Sequence, residues 1–128
     1  MCIRDSNGRP GAKTASLARQ AALQALALDG DSAEAHTALG AVSAVFEWDW
    51  ATAGREFQQA IALNPNYATG HQWYANFYLI PQLRLDEAAR EMDAAEALDP
   101  LSPIMLVDRG WVDYLRGDYA QARQRRCV

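Results

Sequence analysis

The side chains best able to do chemistry are two histidines, His36 and His71, a set of carboxylates at Asp86, Glu87, Glu91, Asp93 and Glu96, and a series of aromatics. The histidines are the only two in the chain and stand 35 residues apart. A metal site would need further ligands converging on them, and no cysteine or second histidine lies one helical turn away. They therefore read as packing groups, and no metal is expected. General acid–base catalysis needs paired groups in a pocket. The carboxylates are spaced around a single helix, which reads as a solvated face. Serine, histidine and aspartate all occur, but without a nucleophile elbow, and no glycine-rich loop could cradle a phosphate. No catalytic residue and no cofactor are implied, so the chain is not expected to be an enzyme.

The bulk numbers place the chain among soluble globular proteins. The chain has 128 residues, 50% of them hydrophobic and 22% charged, which is enough for one globular unit. A formal net charge of −4 argues against a nucleic-acid surface, which is usually basic overall or along one face. The short basic cluster Arg123, Arg125 and Arg126 reads as a solvated helix end. No run reaches the ~18 apolar residues that span a bilayer, and residues 1–16 lack the apolar stretch of a secretory signal. A cytoplasmic location without membrane contact is the expectation. Cys2 and Cys127 sit at opposite ends, with no spacing for a metal or redox motif. The opening MCIRDSNGRPG lacks the alanine-rich texture of the rest of the chain, and MCIRDS resembles a string found at the ends of unrelated assembled metagenomic sequences. Residues 1–12 are expected to be a disordered or artefactual non-repeat segment, and 125–128 a truncated tail, of a bacterial fragment.

The elements that must position these groups are set by a repeat. Ala25-Leu26-Ala27-Leu28-Asp29-Gly30 returns as Ala60-Ile61-Ala62-Leu63-Asn64-Pro65 and again as Ala95-Glu96-Ala97-Leu98-Asp99-Pro100, each 35 residues after the last. Such a period marks units that cannot bury an apolar face alone and must stack on neighbours. Helical spacing of apolar residues predicts helices over about 13–28 and 33–46, a third whose stripe runs from Ala53 to Leu63 after a turn at residues 47–50, then helices over about 67–80, 85–98 and 103–116, and a seventh from about Asp118. Asp31 or Ser32 can cap the second of these, and Gly30, Pro65, Pro81 and Pro100 punctuate the ends. Alanines 53, 60, 88 and 95 let neighbouring helices approach to about 8–9 Å, with Phe57 and Met92 filling the space between. The expected fold class is all-α, a right-handed solenoid of antiparallel helix pairs with about seven helices. It divides into a partial repeat at 13–30, repeats at 33–65 and 68–100, and a truncated repeat at 103–124, the whole array spanning 13–124.

These residues resemble the tetratricopeptide repeat, with pattern W-x2-L-G-x2-Y, A-x3-F, A and P over 34 residues. His36, Leu39, Gly40 and Ser43 take the first-helix places, and Ala53, Phe57, Ala60 and Pro65 the second. His71, Tyr74, Ala75 and Tyr78 come next, with Ala88, Met92, Ala95 and Pro100; then come Leu106, Arg109, Gly110, Asp113 and Ala122. The spacing from Gly40 to Ala53 and from Ala75 to Ala88 is 13, against 12 from Gly110 to Ala122, so the extra residue belongs to the turn within each helix pair. Arg109 and Asp113 replace the apolar groups usual in the family and leave the packing of the last repeat in question. Phe46-Glu47-Trp48-Asp49-Trp50 and His71-Gln72-Trp73-Tyr74-Ala75 resemble the arrays attached to bacterial winged-helix regulators, adenylate cyclases and Ser/Thr kinases.

The resemblance implies a scaffold that binds a peptide or a protein domain in a concave groove lined by the first helix of each pair. Alternatively, it implies the regulatory segment of a transcriptional regulator or signalling enzyme. In the family register the groove holds Thr37, Ala41, Thr69, Gln72, Asn76, Leu79, Val107, Trp111 and Tyr114. Asn76 is expected to hold a peptide backbone, and Trp111 and Tyr114 to supply aromatic anchors. Gln72 stands where some family members carry a lysine for a terminal carboxylate. Self-association through uncapped solenoid ends is also expected.

Overall fold

A computed structural model describes residues 10–118, and all its regular elements are helical. Six helices run in order: α1 Pro10–Leu28, α2 Ala33–Val42, α3 Trp50–Leu63, α4 Ala68–Tyr74, α5 Leu85–Leu98 and α6 Pro103–Leu115. They pack as antiparallel neighbours, α2 against α3 and α4 against α5, with α1 on α2 and α6 on α5. The 35-residue period is kept in the boundaries: α2, α4 and α6 start 35 apart, and so do the ends of α1, α3 and α5. The expected seventh helix beyond Asp118, the Arg123 cluster, Ala122, Cys2 and Cys127 fall outside the described residues.

The polar tail of the repeated phrase makes the turn between pairs. Asp29 Oδ1 accepts from the Asp31 N–H at 3.1 Å, and Asn64 Oδ1 accepts from Asn66 at 3.1 Å. A backbone bond four residues wide closes all three turns, from Ser32 to Asp29 at 3.3 Å, Tyr67 to Asn64 at 3.2 Å and Ser102 to Asp99 at 3.2 Å. Ser32, rather than Asp31, then caps α2 by accepting from the Ala35 N–H at 3.2 Å. Asp49 does the same for α3, taking the Thr52 N–H at 3.1 Å and its hydroxyl at 2.6 Å. Helix α1 begins at Pro10, three residues ahead of the expected start; a Cβ added to Gly11 would touch the Phe46 ring at 3.6 Å, so the first turn lies against the end of the first helix of the next pair.

Two helices end differently from the sequence expectation. Both α2 and α4 pass into one turn of π-helix, Ser43–Glu47 and Ala75–Leu79, instead of continuing as α-helix to about 46 and 80. A π turn takes in an additional residue per turn, which is where the 13-residue spacing of these two repeats is absorbed. Helix α6, whose repeat has the shorter spacing, remains α-helical to Leu115. After each π turn one residue adopts left-handed backbone: Trp48 at φ 57° and Leu83 at φ 58°, 35 residues apart. The matching place after α6 is Gly117 at φ 84°, where the conformation carries no Cβ penalty.

The core forms where the alanines bring helices together. Ala53, Phe57, Ala60, Ala88, Met92 and Ala95 are all buried, and Phe57 and Met92 are among the largest side chains with no exposure. Burying a side chain of that size is worth roughly 1.5–3 kcal/mol. A Cβ on Gly40 would sit 3.1 Å from three Phe57 ring atoms, so the glycine is what lets α2 lie on the phenyl face. In the next repeat the equivalent pair is Ala75 and Met92, in the same cluster. A thinner, flexible side chain there leaves room for the methyl that Phe57 excludes.

Gly40→Ala is expected to cost about 1 kcal/mol, because overpacking against a fixed ring outweighs the gain in helix propensity. In a Phe57→Met background the same change becomes neutral or favourable, a coupling of about 1–2 kcal/mol in a urea-unfolding double-mutant cycle; additive effects would refute the pairing. Leu83 is 78% exposed, so Leu83→Gly should raise stability by about 1 kcal/mol in thermal unfolding by relieving left-handed backbone at little loss of burial.

Candidate functional site

The two histidines occupy identical settings. His36 Nδ1 meets Glu56 Oε2 at 2.6 Å and its Nε2 meets the Gly30 carbonyl at 3.2 Å. His71 Nδ1 meets Glu91 Oε2 at 2.5 Å and its Nε2 donates to the Pro65 carbonyl at 2.8 Å. Each imidazole thus ties three successive pieces of chain: the end of the preceding pair, its own first helix, and the second helix of its pair. Among the described residues no three His, Cys, Asp or Glu side chains converge as a metal site would require. For His71 the Glu91 carboxylate is the main influence and raises its pKa above the ordinary 6.5, with burial opposing and the Pro65 carbonyl assisting. Since a carbonyl only accepts, and Nδ1 faces a carboxylate, the imidazolium suits this setting best.

The carboxylates of α5 are struts rather than a purely solvated face. Glu91 holds His71, Asp93 Oδ1 accepts from Arg109 Nε at 2.6 Å, Glu87 pairs with Arg84 at 2.6 Å and Asp86 with Arg116 at 2.9 Å. Arg109 and Asp113 also answer the packing question raised by the last repeat. Both are buried, and the Arg109 guanidinium bridges Asp93 on α5 and Asp113 one turn along α6. Paired in this way, the charge fills a place that an apolar residue takes elsewhere in the family's pattern.

The nine residues expected to line a groove fall into three groups. Thr37 and Leu79 are closed off inside helix contacts: Thr37 is 1% exposed, with its hydroxyl on the Ala33 carbonyl at 2.8 Å, and Leu79 is fully buried. Ala41 and Thr69 are part-buried beside them. Gln72 and Asn76 come together, but on a residue that sequence reasoning missed. Their amides donate to the same oxygen of Asp108 on α6, at 2.6 and 2.8 Å. One amide hydrogen of Asn76, expected to face a ligand, is therefore spent on the neighbouring repeat. Asp108 carried no repeat signal, since Trp73 stands 35 residues before it. Only the third group is open: Val107, Trp111 and Tyr114 are 53%, 52% and 50% exposed. The Trp111 and Tyr114 rings stack, with centroids 5.5 Å apart and planes 17° from parallel.

Elsewhere, a shallow depression between α1 and the end of α2 is lined by Ala15, Ser16, Arg19, Val45, Phe46 and Glu47, and is bridged by the Arg19–Glu47 ion pair at 2.6 Å. No helix among the described residues is long and apolar enough to cross a membrane.

Because the His71 pKa in the fold lies above its unfolded value of about 6.5, its strap contributes fully below that pH and is lost as pH rises through the folded value. Unfolding free energies measured between about pH 6 and pH 9 should fall with rising pH, and His71→Gln should flatten that slope while lowering stability at the acid end. An unchanged slope in the variant would refute the assignment.

The same arrangement of helix pairs is found in solved structures of two tetratricopeptide-repeat proteins. PilF of Pseudomonas aeruginosa is similar at 25% identity and a TM-score of 0.73, over 91% of this chain and 60% of that one. Two structures of MamA are similar at 22% and 23% identity with TM-scores of 0.72 and 0.70, over 87% and 85% of this chain and 60% and 63% of theirs. The chain thus spans about three-fifths of the length of the structures it matches. No protein-family model matches it, and neither does any of the curated proteins searched. The fold is that of a tetratricopeptide-like array.

Proposed function

We propose that the chain is a non-catalytic protein-interaction scaffold whose contact surface centres on α6. The carrying observation is a stripe of large apolar residues, Val107, Trp111 and Tyr114, left half exposed at helical spacing along α6. Stacked aromatic rings offer large contact area with little side-chain entropy left to lose, which is why tryptophan and tyrosine dominate interface hot spots. The fold supports the same reading, since repeat arrays of this kind typically present extended surfaces to protein partners. The polar groups of the chain support it by exclusion of a pocket: the histidines and most of the α5 carboxylates are committed to ion pairs and hydrogen bonds between helices.

The ligand itself is a peptide or a protein domain. The part of the expected groove near Gln72 and Asn76 contributes a polar edge through the Asp108 cluster, while Thr37 and Leu79 support the wall from within. A partner recovered by affinity capture and purified should bind the Asn76→Ala/Trp111→Ala double variant at least about tenfold more weakly than the wild type in calorimetric titration, about 1.4 kcal/mol or more. Equal affinities, with both proteins folded by circular dichroism, would remove α6 and its neighbours as the contact surface.

A further inference from the structure

His71 has an acceptor on each side of its ring. Nδ1 meets Glu91 Oε2 of α5 at 2.5 Å, and Nε2 meets the Pro65 carbonyl at 2.8 Å, in the turn that joins α3 to α4. Satisfying both takes two ring hydrogens, and only the imidazolium carries two. A neutral ring has one hydrogen and one lone pair. Removal of a single proton therefore forces the strap to give up one of its two ends.

Which end gives way follows from the acceptors. A hydrogen bond to a carboxylate is charge-assisted and roughly twice as strong as one to a neutral carbonyl. A neutral ring protonated on Nε2 would also aim its Nδ1 lone pair at a carboxylate oxygen 2.5 Å away. Protonated on Nδ1, it keeps the stronger bond and turns its lone pair toward Pro65, an exposed residue whose carbonyl water can reach. The turn is then left to its own bonds, Tyr67 N–H to the Asn64 carbonyl at 3.2 Å and Asn66 N–H to Asn64 Oδ1 at 3.1 Å.

The surroundings leave this choice to Glu91, the charged group that acts on the ring. From α2, Thr37 lies near Gly70, and from α3, Gln58 donates to the Tyr74 hydroxyl at 3.4 Å. The Asp108 carboxylate of α6 is held by Gln72 and Asn76. One repeat earlier the same arrangement stands at His36, with Glu56 at 2.6 Å and the Gly30 carbonyl at 3.2 Å. The strap thus belongs to the repeat and is not one accidental contact.

We infer that His71 is a proton-operated clasp on the joint between α3 and α4: doubly protonated, it ties the Pro65 turn to α5, and loss of the Nε2 proton releases the turn while Nδ1–H stays on Glu91. The direction in pH agrees. The His71 pKa is raised in the fold, chiefly by Glu91, so the clasp is closed below about pH 6.5 and opens as pH rises through the folded value. By linkage, a ligand that prefers the closed joint binds more tightly at the acid end.

The clasp is tested on the intact chain by nitrogen NMR of the histidine rings between about pH 6 and pH 9, with His71→Gln assigning the two sets of signals. Both His71 nitrogens are expected to carry hydrogen at the acid end, and Nδ1 alone at the alkaline end. Amide exchange at Asn66 and Tyr67, corrected for its intrinsic pH dependence, should quicken about threefold to tenfold through the same titration, the loss of one hydrogen bond. That step should be absent from His71→Gln. A neutral ring with hydrogen on Nε2 would overturn the inference, since the Glu91 end would then be the one released. So would a ring that stays doubly protonated throughout, or turn amides that ignore the titration or keep their step in the variant.

Discussion

Every other feature of this fold depends on one constraint: a helix pair of this composition cannot bury its apolar face by itself. The alanines at 53, 60, 88 and 95 are too small to form a core within one pair, and they succeed only because they let the next helix come close enough for Phe57 and Met92 to fill the gap. The 35-residue period arises from that requirement. Each pair must hand the chain to the next at the same height and angle, so turns, caps and even the left-handed residues recur at fixed intervals.

The polar groups that looked most like chemistry serve the same end. His36 and His71 stitch the end of one pair to both helices of the next, and the α5 carboxylates hold His71, Arg84, Arg109 and Arg116. Their commitment separates two kinds of residue. Those that repeat, or that pair across helices, build the array; those that break the repeat at an exposed position are left for the contact surface we propose. By that criterion Trp111 and Tyr114 stand apart, because the equivalent places in the first repeat are held by alanines 41 and 44.

Much of this was legible in the sequence where one signal decided it. Helical spacing and the repeated phrase placed all six described helices, and the buried alanines, Phe57 and Met92 lie where the pattern put them. Three things were not legible. The π turns were not, because an extra residue between helices can be absorbed in a loop or inside a helix, and spacing alone does not distinguish these. The histidine straps were not, because Glu56 and Glu91 stand 20 residues from their partners, on another helix. Nor was Asp108, whose role depends on two amides from the neighbouring repeat and has no counterpart 35 residues earlier. Of the residues expected to line a groove, Thr37 and Leu79 are buried by stacking that a single repeat does not display.

The central claim is that stability resides in contacts between neighbouring helices, shared unequally along the array. Native-state hydrogen exchange on the intact chain tests it most directly. The account predicts the greatest amide protection in α2, α3, α4 and α5, which have neighbours on both sides, with α1 and α6 exchanging through smaller openings. Uniform protection across all six helices, or greatest protection in α1 or α6, would contradict it.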